Sequence, residues 1–129
     1  MSNIIEFIDS LLPQDRIPIF YLSIPDKTDG LLIEETGIRG QVNSFAGYKG
    51  VISSTIQLYV RCEPTSNKYK EINALLKEFY KIISSNKGLE KDGIKLLYVD
   101  QFNLTTNMRD ERHNYIFSLM FSVIYKEME

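Results

Sequence analysis

From Val51 to Cys62 the chain alternates. Ile52, Ser54, Ile56, Leu58, Val60 and Cys62 share one face, and Ser53, Thr55, Gln57, Tyr59 and Arg61 share the other. A two-residue period of this kind predicts a β-strand with one face on a core and the other toward solvent or a partner. Two further strands are predicted downstream. Over about 94–105, Ile94, Leu96, Tyr98, Phe102 and Leu104 lie opposite Lys95, Leu97, Val99, Gln101 and Asn103, with Asp100 interrupting the first face. Over about 115–126, Tyr115, Phe117, Leu119, Phe121, Val123 and Tyr125 form one face. The opposite face reads Ile116, Ser118, Met120, Ser122 and Ile124, which is itself partly apolar. Two readings fit that face: a central strand covered on both sides, or a surface or sheet edge buried only on assembly.

Helical spacing occurs twice. Ile4, Ile5, Ile8, Leu11 and Leu12 form a stripe over 3–12, Asn3 and Glu6 resemble a capping box, and Pro13 stops the helix. A longer helix is predicted over about 67–85 from Tyr69, Ile72, Leu76, Phe79 and Ile83, with Leu75 and Ile82 widening the stripe. It follows a turn rich in capping residues, 63–67, and Gly88 lies just past its end. Between the first helix and the first clear strand, Arg16–Pro25 reads as a strand in which Pro18 favours an edge or a strand start. Residues 26–50 have the weakest period. Asp29-Gly30 signals a turn, Leu31–Glu35 suits a short strand, and glycines stand at 37, 40, 47 and 50. An irregular loop is expected at about 26–50, and loops of that length tend to be functional.

The order of elements predicts an α+β fold in a single domain spanning 1–129. Its sheet is expected to be antiparallel or mixed, of about four strands, with the long central helix and the N-terminal helix packed on one face. The chain has 129 residues, 43% hydrophobic and 25% charged, which suits one folded core. Its net charge of −2, with both signs interspersed, argues against a dedicated nucleic-acid binder. The first residues lack the basic and apolar regions of a signal peptide, and no run approaches the ~20 apolar residues of a membrane span, so no membrane association is expected.

Candidate chemistry is sparse. The one histidine, His113, lies in a charged turn, where an exposed side chain is the ordinary outcome. The one cysteine, Cys62, lies on the apolar face of its strand and reads as a buried, inert thiol. The glycines at 37, 40, 47 and 50 match no phosphate cradle, and the neighbouring carboxylates Glu34-Glu35 and Asp110-Glu111 read as solvated surface. No catalytic, cofactor-binding or metal-ligating residue is expected. The segment Arg109-Asp110-Glu111-Arg112-His113 admits two readings: a solvated hairpin connection, or a salt-bridging contact loop built on arginine's planar fork.

Four features resemble the tail-terminator, or minor capsid, family of long-tailed phages. They are the N-terminal amphipathic helix leading to Ile17–Ile24, and Phe45-Ala-Gly-Tyr48-Lys49-Gly-Val51 running into the strand around Ile56–Arg61. The other two are the single helix from Asn67 to Ser85, and the closing strands joined by Met108-Arg109-Asp110-Glu111-Arg112. The resemblance implies a virion structural protein at the head–tail junction, made in the host bacterial cytoplasm and acting without cofactor or turnover. It implies a ring, commonly hexameric, that ends the tail tube. The ring would contact the major tail tube protein and head-completion or connector proteins, with DNA only as passing cargo. Phe45, Tyr48, Lys49, Arg109, Asp110, Glu111 and Arg112 are the candidate interface residues, since a ring needs two unlike patches that meet. Neighbouring connector or bacteriocin-particle roles share this pattern. A small intracellular ligand-binding or regulatory module, using the aromatic-rich sheet as a pocket, is the alternative of another class.

Overall fold

The computed structural model describes residues 3–45 and 47–128, with side chains for 4–36, 47, 49–100 and 108–128. The fold is α+β. Helix α1 (Asn3–Leu11) leads to β1 (Ile19–Phe20), β2 (Gly30–Phe45) and β3 (Tyr48–Cys62). Helix α2 (Tyr69–Ser85) follows, then β4 (Glu90–Lys91), β5 (Ile94–Arg109) and β6 (Tyr115–Glu127). The described strands form one six-stranded sheet in the order β1-β2-β3-β6-β5-β4. Among the described residues the β1–β2 pair is parallel and the other pairs are antiparallel, so the sheet is mixed.

The core lies between the helices and one face of this sheet. Ile56, Leu58 and Val60 of β3 and Leu119, Phe121 and Val123 of β6 are fully buried against Ile4 and Ile8 of α1 and Leu76, Phe79 and Ile83 of α2. Tyr80 meets Phe121 edge-on, with ring centroids 5.7 Å apart. The alternation along β3 is realised residue by residue: its even positions from Ile52 to Cys62 are buried, and its odd positions are half-exposed. The opposite sheet face carries Thr55, Gln57, Tyr59, Met120, Ser122 and Ile124, all partly exposed, while Ile116 and Ser118 on that face are buried. Among the described residues no helix is long and apolar enough to cross a membrane.

Four expectations change. The described sheet has six strands rather than about four, because β2 and the two-residue β4 join the four that were expected. The stretch expected as an irregular loop at about 26–50 is mostly strand. Residues 30–45 pair antiparallel with β3 from Gly30↔Arg61 to Phe45↔Tyr48, with a register shift between Thr36 and Gly40. That shift erases a continuous two-residue period, while β3 supplies the template for pairing. The strand expected over Arg16–Pro25 contracts to Ile19–Phe20, and the Pro18 carbonyl accepts the Leu31 amide at 2.9 Å. Finally, a bulge between Leu96 and Tyr98 switches faces in β5, burying Val99 and exposing Tyr98.

A charged cleft at one end of the sheet

The β5–β6 connection is fixed by one carboxylate. Asp110 Oδ1 accepts the backbone N–H of Arg112 and of Asn114, each at 2.9 Å, and its Oδ2 accepts the Asn114 side-chain amide at 2.9 Å. The His113 amide donates to the Asp110 carbonyl at 3.0 Å, and His113 takes φ +66, which a short polar turn tolerates. Asp110 is held below the usual carboxylate range. The Asn114 side-chain hydrogen bond is the largest cause; the backbone N–H groups of Asn114 and Arg112 and the charge of Arg61 add to it, and desolvation opposes it. A lowered folded pKa stabilises the folded state above the ordinary carboxylate value, and that contribution is lost as pH falls through the folded value. The protection factors of the Arg112 and Asn114 amides, taken against their intrinsic exchange rates, are therefore expected to fall on acidification below about pH 4, and Asp110→Ala, which removes the acceptor, should abolish that protection at neutral pH as well. Unchanged protection of both amides in that variant would contradict the arrangement.

Three arginines surround this turn, each oriented differently. Arg109 Nε donates to the His113 carbonyl at 3.0 Å, and its guanidinium lies 4.2 Å over the Tyr115 ring. Tyr115 in turn stacks on Tyr69, with centroids 4.1 Å apart and planes 11° apart, so the sheet end is tied to the start of α2. Arg61, at the end of β3, reaches back and donates Nη2 to the Ile24 and Pro25 carbonyls at 3.0 and 2.7 Å. Arg112 Nη1 stands 3.4 Å from Asp26 Oδ1, and both side chains are 76% exposed. Nearby, Asp29 accepts the Glu63 amide at 2.7 Å and the Ser66 hydroxyl at 2.5 Å, which pins the β3–α2 turn.

These groups enclose an open cleft of about 560 Å³ lined by Asp26, Arg61, Arg109, Asp110, Glu111, Arg112 and Asn114. A smaller cavity of about 190 Å³ adjoins it, sharing Asp26, Arg61, Arg112 and Asn114 and adding Lys27, Glu63 and Pro64. Arg109, Asp110, Glu111 and Arg112, expected from the sequence as contact residues, are thus brought together. Lys49 is not with them. It is exposed near the β2–β3 turn, its carbonyl accepting Lys126 Nζ at 2.6 Å. The 15 residues of β3 separate the two ends by about 45–50 Å at ~3.3 Å per residue. The backbones of Phe45 and Tyr48 pair beside Lys49, and their side chains lie outside the described residues.

Arg61, Asp26 and Asn114 carry no contact signal in the sequence reading. Arg61 there is one polar residue on an alternating strand. Its place in the cleft follows from the Arg61↔Ile116 and Cys62↔Tyr115 register, which sets the end of β3 beside the β5–β6 turn.

Cys62 is fully buried, and burial pushes its thiol up to about 12. It is expected to resist iodoacetamide at pH 8 in the folded protein and to react fully in denaturant; mass spectrometry after timed labelling checks this. Among the described residues no group of three or more His, Cys, Asp or Glu side chains is placed to hold a metal ion. Comparison with protein-family models and with curated proteins finds no match.

Proposed function

We propose that this chain is a structural subunit of a phage head–tail junction, a tail-terminator-like protein that forms a ring, ends the tail tube and meets head-completion proteins. One observation carries the reading: two unlike candidate contact regions stand at opposite ends of one sheet. The arginine-bearing turn is at one end and the β2–β3 turn with Lys49 at the other. A rotational ring joins unlike patches, front of one copy to back of the next, and a continuous hydrogen-bonded sheet is a stiff spacer between them. The layout of the elements supports the family resemblance, with the long β2–β3 hairpin replacing the loop expected there.

The sheet face away from the helices suits a surface along which DNA passes without adhering. Its central Ser53, Thr55, Gln57 and Ser122 are neutral and partly exposed, and its cations Arg61 and Lys126 stand toward opposite ends, so the middle of the face offers no ladder of cations to phosphates.

Concentrated protein examined by negative-stain microscopy and light scattering is expected to show rings of a defined subunit number. Arg112→Ala should lower the ring population while leaving the circular dichroism spectrum unchanged, because Arg112 is exposed and its pair with Asp26 contributes only about 0–1 kcal/mol to folding. Arg109→Ala should act on both assembly and fold, since it also removes the His113 hydrogen bond and the Tyr115 contact. Parent protein that stays monomeric at all concentrations, or an Arg112→Ala variant of unchanged mass distribution, would sink the reading. A connector or bacteriocin-particle role is separated from the terminator role by which partner co-assembles: tail tube protein alone, or head-completion protein alone.

A further inference from the structure

The charged cleft holds cations that are oriented but not neutralised by their own hydrogen bonds. Arg61 and Arg109 donate to carbonyl oxygens of Ile24, Pro25 and His113, which fix each guanidinium without cancelling its charge. Asp110, the carboxylate nearest the turn, is already engaged by three N–H donors of Arg112 and Asn114. The Arg112–Asp26 pair is loose at 3.4 Å and largely exposed, so an incoming carboxylate can replace Asp26 at little cost. Each guanidinium keeps further N–H donors in a planar fork, which matches the two oxygens of a carboxylate.

The surroundings select among anions. Arg61, Arg109 and Arg112 are balanced in formal charge by Asp26, Asp110 and Glu111 in the same lining. A polyanion such as nucleic acid therefore meets no net attractive field and is repelled locally by Glu111. Recognition that remains is short-range and geometric, which favours a single carboxylate on a flexible segment over a phosphate chain.

We propose that this cleft is a docking socket for a carboxylate-bearing segment of another protein chain, with Arg61 and Arg112 as the anchoring forks and Glu111 disfavouring densely acidic ligands. The socket does not depend on the ring reading: it can serve a monomer as well as an assembled subunit.

The test is a titration of the isotope-labelled full chain with a capped five-residue peptide carrying a single glutamate at its third position, followed by amide and arginine Nε–H NMR signals. Saturable shifts are expected at Arg61 and across Asp110–Asn114. Arg112→Gln should weaken binding by about fivefold to tenfold, as loss of a charge-assisted contact does. Glu111→Gln should tighten it by about twofold, and raising salt from 50 to 500 mM should weaken it. Arg61→Gln also frees the segment at Ile24 and Pro25, so Arg61→Lys, which keeps the charge and loses the fork, is run beside it and should bind less tightly than the parent. The same peptide with glutamine at that position, inorganic phosphate and a single-stranded oligonucleotide are the comparison ligands. No saturable shift with the glutamate peptide, equal affinity in Arg112→Gln, or tighter binding of phosphate or oligonucleotide would each overturn the proposal. A chain that stays monomeric yet binds the peptide keeps the socket and removes the ring.

Discussion

Replacing Phe79 by alanine is expected to lower stability by about 3–5 kcal/mol, the usual cost of emptying a fully enclosed aromatic site. Phe79 lies at the centre of α2, is fully buried, and belongs to the cluster that joins α2 to β3 and β6. Domains of this kind have only about 5–15 kcal/mol of stability in total. The expected fall in melting temperature is therefore about 10–20 °C, taking ~3–5 °C per kcal/mol for a chain of this size. Differential scanning calorimetry reads it directly. Leu22→Ser is the matched control: Leu22 is 95% exposed, and its loss should change stability by no more than about 0.5 kcal/mol. A Phe79→Ala protein that melts within 3 °C of the parent would mean that α2 does not close the core.

Ser122→Pro is expected to be comparably severe, for a different reason. Strand β6 is paired on both edges, with Ser122 opposite Thr55 of β3 and Asp100 of β5. Whichever neighbour its N–H serves, proline deletes a ladder bond inside the sheet and leaves an acceptor stranded. Together with the steric conflict, a loss of at least about 3 kcal/mol follows. Ser122 faces away from the helices, so no core contact confuses the result, and Ser122→Thr should stay within about 1 kcal/mol of the parent. Urea melts of both variants, followed by tyrosine fluorescence, provide the comparison. Cooperative unfolding of Ser122→Pro at nearly the parental midpoint would place β6 at a sheet edge instead.

The strands that were legible in the sequence are those whose burial is set by strict alternation. In β3 and β6 every second residue from Ile52 to Cys62 and from Phe117 to Tyr125 meets the core, so period alone identifies the face. The α2 stripe was legible for the same reason, with Ile72, Leu76, Phe79 and Ile83 all buried. Strand β2 was hidden because its Thr36–Gly40 irregularity shifts the period midway, and because its pairing is imposed by β3 rather than by its own pattern. In β5, bulges at Leu96/Tyr98, Gln101/Asn103 and Thr105/Met108 make a single face assignment impossible from spacing. Strand β4 carries a local signal. Asp92-Gly93 takes φ +52 and +80 between the paired Lys91 and Ile94, the dipeptide and backbone of a two-residue hairpin turn that announces β4.

The candidate site divides along the same line. Arg109 to Arg112 stood out because charge density is local information. Arg61 and Asp26 join them only through pairings distant in sequence, which no spacing rule encodes. The apolar second face of β6 has a mixed outcome: Ile116 is buried within the chain, while Met120 and Ile124 stay partly exposed. The reading of a strand covered on both sides within the chain holds at Ile116 and Ser118 and does not extend to Met120 and Ile124.

The position of β6 also bears on how the protein is made. It is the last strand in sequence order, yet it sits between β3 and β5. A ribosome will have released β3, α2 and β5 before the strand that unites them exists. Until then, one long border of β3 and one of β5 lack their eventual neighbour, while the β2–β3 hairpin and α2 can already form. Such a nascent chain exposes adhesive backbone for the time needed to translate the remaining residues. Slowing synthesis across the stretch encoding β6 should therefore raise the aggregated fraction, whereas slowing it across the stretch encoding α1 should not.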